Sequence, residues 1–240
     1  MSVGGYCVLA VAIFMASTLQ ASIGFGMGMF AAPIVALVDP SLIPGTLIMV
    51  ATLVTLIVVI RERESIDLSG TGWALVGRVP GTIAGALLLA ALPHRALSLM
   101  LAAVVLGGVV LTSSGWIPAP RRRNVVIAGA TSGLLGTATS IGGPPMALVW
   151  QRNSGPRLRG TMGGFFLVGS VLSLIMLSVT GAVDGRTWWG FAVLIPAAVA
   201  GYLLSVKVNR HLDPTRLRRV AIIVSAVGAA LLIGRELLAM

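Results

Sequence analysis

The sequence predicts an all-α polytopic membrane protein made of two inverted repeats, each a broken, re-entrant helical hairpin followed by three transmembrane helices. Apolar residues form 57% of the chain and charged residues only 10%, whereas a soluble domain carries about 25% charged residues. Two glycine-rich breaks, 22–28 and 140–145, interrupt long apolar stretches about half a chain apart. The basic residues between the apolar stretches are divided unequally between the two sides of a membrane, which fixes the direction of each segment.

Five apolar segments precede the arginine cluster 121–123. A helix needs about 20 apolar residues to cross a bilayer, so the second segment, which contains only thirteen residues, is too short to cross. Together the five segments form the first predicted repeat, residues 1–118. Their predicted ranges are 6–23, 26–38, 43–60, 71–92 and 97–113.

Five further segments follow the cluster and form the second predicted repeat, residues 119–240. The second of them is again too short to cross, since it has only eight residues. The pattern W-x6-P-x4-G occurs once in each half, and its three positions are offset by 116 residues, which indicates duplication. The segments are 125–140, 144–151, 160–183, 188–206 and 217–238.

The loop charges decide the topology. If each hairpin returns to the side where it began, one side holds thirteen Lys and Arg residues and the other holds three, namely Arg95, Arg186 and Arg235. If each hairpin crosses once, the sides hold seven and nine, without bias. Because basic loops face the cytoplasm, we expect returning hairpins, both termini outside the cytoplasm, and repeats inverted relative to each other. Inverted repeats with broken helices are typical of transporters.

The motifs at the two breaks resemble those of a known family. The first break reads A-S-I-G-F-G-M-G and is followed by Pro33, and the second reads T-S-I-G-G-P-P. With the repeated W…P…G pattern, they make the chain similar to the TauE/SafE sulfite exporters, also called the toluene-sulfonate uptake permeases. In place of consecutive glycines, Phe25 and Met27 interrupt the first copy, and Pro144 and Pro145 follow the glycines of the second.

The resemblance implies an exporter of small anions, chiefly sulfite, sulfonates, sulfoacetate and related organic acids, in the bacterial cytoplasmic membrane. Import of the same anions and a non-transporting membrane scaffold stay open as alternatives. We expect a small anion and the lipid bilayer as partners and no nucleic acid, because the net charge of +10 belongs to the cytoplasmic loops. The oligomeric state is open, with a homodimer as one option.

The two breaks are the predicted substrate site. A helix that restarts after a break presents free N–H groups and a positive dipole end, which suit an anion, and nearby hydroxyls add donors. Close helix packing through small residues is the alternative explanation of the glycines. The candidate substrate-binding residues are Gln20, Ser22, Gly24, Phe25, Gly26, Met27, Arg78, Thr139, Ser140, Gly142, Gly143 and Pro144.

Arg78 is the one charged residue in the interior of a predicted span, because the other charged residues fall in loops or near segment ends. Placing an arginine at the bilayer centre costs about 2.5–3.5 kcal/mol on insertion scales, so such a residue needs a partner or a cavity. A guanidinium matches the fork geometry of a sulfonate or carboxylate, and snorkelling to the cytoplasmic headgroups is the alternative. Gln20 has a similar alternative, an interhelical hydrogen bond that satisfies its amide.

Catalysis is not expected from this sequence. No His, Asp or Glu lies in the interior of a predicted span, since all of them fall in loops or at segment ends. A nucleophile–base pair or a metal cluster therefore cannot form there, and we expect no cofactor and no metal. The single cysteine, Cys7, excludes an intrachain disulfide, and no removable signal peptide is expected. Asp39, at the outer end of the first hairpin, is the best remaining proton carrier, with helix capping as its alternative role.

Overall fold

The computed structural model describes residues 3–115, 118–208 and 214–238, and every element in these ranges is helical. The first half contains helices α1 to α5: Val3–Ile23, Met27–Val38, Gly45–Glu62, Leu68–Ala91 and His94–Ser113. The second half contains α6 to α10: Arg122–Thr139, Gly143–Trp150, Gly155–Val179, Gly185–Val208 and Pro214–Leu238. Two short 3₁₀ turns flank α3, at Pro40–Leu42 and Arg63–Ser65. Arg210, His211 and Asp213, which fall between the predicted segments 188–206 and 217–238, lie outside the described residues.

The helices confirm the predicted all-α membrane architecture. Among the described residues, α1, α3, α4, α5, α8 and α9 are long and apolar enough to cross a membrane. Helices α2 and α7 have 12 and 8 residues, well short of the roughly 20 that a crossing needs. The predicted broken hairpins are therefore α1–α2 and α6–α7.

The first hairpin returns to the end of the bundle where it begins. Near the start of α1, the ring of Tyr6 meets Trp189 edge to face, with centroids 5.4 Å apart. Directly after α2, an oxygen of Asp39 lies 2.7 Å from Nη2 of Arg186. Arg186 and Trp189 both belong to the start of α9, so the two ends of the hairpin lie side by side.

The second hairpin returns in the same way at the opposite end. The guanidinium of Arg122, at the start of α6, lies 4.8 Å from the ring centroid of Trp73 near the start of α4. After α7, Nη2 of Arg157 lies 3.8 Å from an oxygen of Asp67. Asp67 caps α4 by accepting a hydrogen bond from the Gly70 N–H, so this hairpin also begins and ends beside one helix start.

The contacts sort the loops into the two groups that the charge count separates. At the end rich in basic residues, Arg159 pairs with Glu62 at 2.7 Å and joins the loop after α3 to the start of α8. At the opposite end, Arg235 donates hydrogen bonds to the carbonyls of Ala36 and Leu37, close to the Arg186–Asp39 pair. Each loop that these contacts place lies at the end of the bundle that the charge-based topology gives it, and which side of the membrane each end faces stays a prediction.

Helices of one half pack mainly against helices of the other. Helix α4 lies along α6, and its counterpart α9 lies along α1; α3 contacts α8, and α5 contacts α10. The short helices pack first on their own hairpin partners, α2 on α1 and α7 on α6, and each also contacts the other half, α2 at α10 and α7 at α5. This exchange of equivalent partners agrees with duplication, and the inversion of the repeats and their boundaries stay predictions.

The tightest helix pair is α4 with α6. A glycine at every fourth position of α4 faces a backbone carbonyl of α6, as in GxxxG pairs of membrane helices. At Gly85, for example, a β-carbon would lie 2.5 Å from the carbonyl oxygen of Leu134. Since Arg78 lies between the first two of these glycines, the seam fixes its position against α6. The three contacts pair Gly77 with Val126, Gly81 with Ala130 and Gly85 with Leu134.

Candidate functional site

A cavity of about 570 Å³, including its open mouth, lies where the two hairpin breaks meet. Gly28 of the first break approaches the carbonyl of Ser140 so closely that no β-carbon would fit between them. Gly143 of the second break lies against Phe25, whose ring a β-carbon would approach to 3.2 Å. Helices α3 and α8 supply further walls through Leu47, Ile48, Ala51, Thr55, Phe166 and Ser170.

The two breaks use unusual backbone conformations to turn the chain. After α1 ends, Gly24 has a φ of 86° and Gly26 a φ of 108°, which glycine adopts without the clash that a β-carbon brings. In the second break Ser140 itself is left-handed, with a φ of 64°. Its N–H bonds to Gly136 O and its hydroxyl donates to Pro44 O at 3.1 Å, so the strained residue is held at both groups.

Both short helices begin at the cavity. In α2, Phe30 N–H bonds to Gly26 O, and the N–H groups of residues 27–29 precede the first intrahelical bond. In α7, Gly143 is followed by two prolines, which have no N–H and are tolerated in a first turn. Because Gly26 and Gly143 both line the cavity, two positive helix ends converge on it.

Arg78 reaches this cavity from α4 and is tied to the second break. Its side chain is almost completely buried, with 3% of the residue exposed. Nη1 donates to the hydroxyl of Ser132 at 2.9 Å and to its carbonyl at 3.3 Å. The same hydroxyl donates to Gly142 O at 2.6 Å, so one serine connects the guanidinium to the backbone of the break.

The charge of Arg78 is not neutralised by an acidic side chain. No carboxylate among the described residues forms an ion pair with it, and none of those residues forms a hydrogen bond with its buried Nε. Instead, its Cζ atom lies 5.0 Å and 5.8 Å from the ring centroids of Phe165 and Phe166. The guanidinium of Arg78 is enclosed by α6, α8 and the second break. It therefore does not reach the lipid headgroups, and the snorkelling alternative is wrong.

Gln20 and two hydroxyls also line the cavity. Gln20 Nε2 donates to Ala51 O over a long 3.4 Å, in agreement with the interhelical alternative. The hydroxyl of Thr55 donates to the same carbonyl at 2.7 Å, and that of Ser170 donates to Leu167 O at 3.1 Å. Both hydroxyls thus bond back to their own helices, and Arg78 remains the strongest donor at the site.

Seven predicted site residues line this cavity, namely Gln20, Phe25, Gly26, Arg78, Ser140, Gly142 and Gly143. The remaining five do not line it. Gly24 faces the backbone of Arg159, where a β-carbon would lie 3.3 Å from its Cα, and Thr139 bonds back to Leu135 O. The other three are Ser22 and Met27, which are buried, and Pro144, which packs on Gly108.

Ser132 is a hydrogen-bond partner of Arg78 that the sequence does not reveal. It lies 54 positions from Arg78 in a helix with several other hydroxyl residues, and nothing in its surroundings marks it. Phe165 and Phe166, which flank the guanidinium, are equally unmarked within an apolar span. These contacts depend on how α4, α6 and α8 pack, which no local pattern records.

Asp39 forms a closed network at the outer end of the first hairpin. One oxygen accepts hydrogen bonds from the N–H and hydroxyl of Ser41, and the other accepts from Arg186. Burial raises the pKa of Asp39, but the hydrogen bonds from Ser41 and Arg186 outweigh it and hold the pKa below its ordinary value of 3.8. Asp39 thus caps the 3₁₀ turn Pro40–Leu42, and its predicted capping role is confirmed.

We expect Asp39→Asn to destabilise the protein without changing how flux depends on pH. A group with a lowered pKa contributes stability above its unfolded pKa and loses it as the pH falls through the folded value. The contribution is therefore complete above pH 3.8, and Asp39 cannot exchange protons near neutral pH. Thermal unfolding at neutral pH should show a lower Tm, while flux measured between about pH 5.5 and 8 should keep the wild-type profile. A flattened or shifted profile would restore Asp39 as a proton carrier.

Comparison with known proteins agrees with the resemblance seen in the motifs. The family model described as sulfite exporter TauE/SafE matches residues 9–232. No curated protein and no solved structure matches the chain. The matched range includes both hairpin breaks, the glycine seam and Arg78. The chain belongs to the TauE/SafE sulfite exporter family.

Proposed function

We propose that the protein exports a small sulfur-containing or organic anion, such as sulfite, a sulfonate or sulfoacetate, across the bacterial cytoplasmic membrane. Its family is one of membrane transporters of sulfur anions, and six of its described helices are long and apolar enough to span a bilayer. The end with thirteen basic residues would face the cytoplasm. Both termini would then lie outside.

The anion would bind between the two hairpin tips, and Arg78 is the observation that carries this assignment. A buried charge is costly unless it is paired, and this one has no acidic partner among the described residues. It lies instead in the cavity where α2 and α7 begin. A tetrahedral or pyramidal oxyanion there would meet a guanidinium fork and two positive helix ends.

Transport would proceed by alternating access, with one repeat moving against the other around this site. The contacts toward the two ends differ. Toward one end, the Ser140 hydroxyl donates a hydrogen bond to Pro44 O. Toward the other end, Gly24 packs against the backbone of Arg159, and the side chain of Arg159 pairs with Glu62. Breaking either set would open the cavity to one side. An inside-negative potential favours outward movement of an anion by about 2.3 kcal/mol per charge per 100 mV.

Flux from proteoliposomes tests the proposal. Purified protein is reconstituted, the vesicles are loaded with radiolabelled sulfite, and efflux is followed with and without an inside-negative potassium diffusion potential. We expect saturable efflux that the potential accelerates and that external sulfoacetate or a simple sulfonate slows. Efflux equal to that of protein-free vesicles for each of these anions would contradict the proposal, and a faster inward than outward flux under both conditions would indicate an importer.

A further inference from the structure

A second cavity, of about 1040 Å³ including its open mouth, lies at the end of the bundle that has few basic residues. It is enclosed by the turn after α2, the start of α5 and the end of α10. Two of the three basic residues of this end, Arg95 and Arg235, line it. The third, Arg186, is paired with Asp39 and does not line it.

The cavity is positively charged. Arg95 is exposed, and no hydrogen bond or ion pair within the described residues engages its guanidinium. Arg235 donates from Nη1 to the carbonyls of Ala36 and Leu37, which are neutral, so its charge is retained. None of the described lining residues is acidic, and the nearby carboxylate of Asp39 is already occupied by Arg186 and Ser41.

A thin wall separates this cavity from the one that contains Arg78. Pro44 and Ala138 line the outer cavity, while Ser140, two residues after Ala138, lines the buried one. The Ser140 hydroxyl donates to Pro44 O at 3.1 Å. The two cavities thus face opposite sides of the contact between the tip of the second hairpin and the start of α3.

We propose that the cavity between Arg95 and Arg235 is a second anion site, at the outer mouth of the pathway, which takes a free oxyanion on the far side of the Ser140–Pro44 contact. Two cations with no carboxylate among the described lining residues concentrate anions locally, and their exposure makes the binding weak and sensitive to ionic strength. That the anion is sulfite or a sulfonate rests on the proposed function. A lipid phosphate has the same chemistry, and the experiment separates the two sources.

Equilibrium binding of radiolabelled sulfite to the purified protein, in neutral detergent without phospholipid, tests the second site. The wild type should show a tighter and a weaker class of binding, the weaker one lost at high salt. Arg95→Gln should weaken the second class by about tenfold or more and leave the first unchanged, whereas Arg78→Met should do the reverse. Arg157→Gln, the same charge change at an exposed arginine that lines neither cavity, is the control and should retain both classes.

Two results would overturn the second site: an unchanged weaker class in Arg95→Gln, or its equal loss in Arg157→Gln. The lipid alternative is tested by adding phosphatidylglycerol to the detergent micelles. Saturable, Arg95-dependent retention of this lipid without a weaker sulfite class would assign the cavity to lipid and refute the proposal. A missing tighter class beside an intact weaker class would instead refute the Arg78 site alone, so the two proposals fail separately. Size-exclusion profiles confirm that each variant is folded.

Discussion

Replacing Arg78 with methionine is expected to reduce sulfite flux by at least about tenfold, since a hydrogen bond to a charged group contributes about 1.5–3 kcal/mol. Methionine fills much of the same space and packs well against Phe165 and Phe166, which flank the guanidinium. Ser132 keeps its hydrogen bond to Gly142 O in the variant. The substitution therefore removes the charge and leaves few polar groups unsatisfied.

Stability distinguishes a binding role of Arg78 from a structural one. Replacing a buried charge with an apolar residue of similar volume is often neutral or stabilising, so the Tm of Arg78→Met should equal or exceed that of the wild type while flux falls. Arg78→Lys keeps the charge without the planar fork and should retain only part of the flux. Arg157→Gln, a more exposed arginine outside the cavity, is the control. Normal flux in Arg78→Met would contradict the site assignment.

Gly28→Ala is expected to separate the two hairpin tips. A β-carbon at this position would overlap the carbonyl group of Ser140, with 2.7 Å to its carbon and 3.2 Å to the Cα of Ile141. Because both neighbours are backbone, no rotamer change relieves the clash. Overpacking of this kind costs about 1–3 kcal/mol, and the displaced tip would remove one wall of the cavity.

For Gly28→Ala, both the Tm of thermal unfolding and the sulfite flux should decrease. Gly107→Ala is the matched control, since Gly107 lies in a helix where a β-carbon would meet no atom within 4 Å, and we expect it to leave both quantities close to wild type. If Gly28→Ala behaves like Gly107→Ala, the close approach of the tips has no role in stability or transport.

The positions of the hairpin breaks are predictable from the sequence. The first break is predicted at 22–28, and α1 ends at Ile23 while α2 begins at Met27. The helix is interrupted there because closely spaced glycines destabilise it. The start of α7 is predicted at Pro144 and observed at Gly143. Charge patterning also assigns to the right end the loops that the described contacts place. Local chemistry determines these features, and a sequence displays local chemistry directly.

The details of the site are not local. Whether Arg78 snorkels or turns inward depends on the glycine seam between α4 and α6, which brings Ser132 to within 2.9 Å of Nη1. Ser22 and Met27 have the residue types of a site, yet they lie outside the cavity lining because the path of the chain around Gly24 and Gly26 directs them elsewhere. Such orientations follow from packing between distant segments.

The central claim is that an anion binds between the two hairpin tips at Arg78, and sulfite-dependent thermal stabilisation tests it most directly. The measurement uses Arg95→Gln protein, in which the outer cavity is disabled, and compares it with the Arg95→Gln/Arg78→Met double variant. Saturating sulfite should stabilise the first by about 2.7 kcal/mol at one hundred times Kd and should leave the second unchanged. Equal stabilisation of both proteins, or of neither, would contradict the claim.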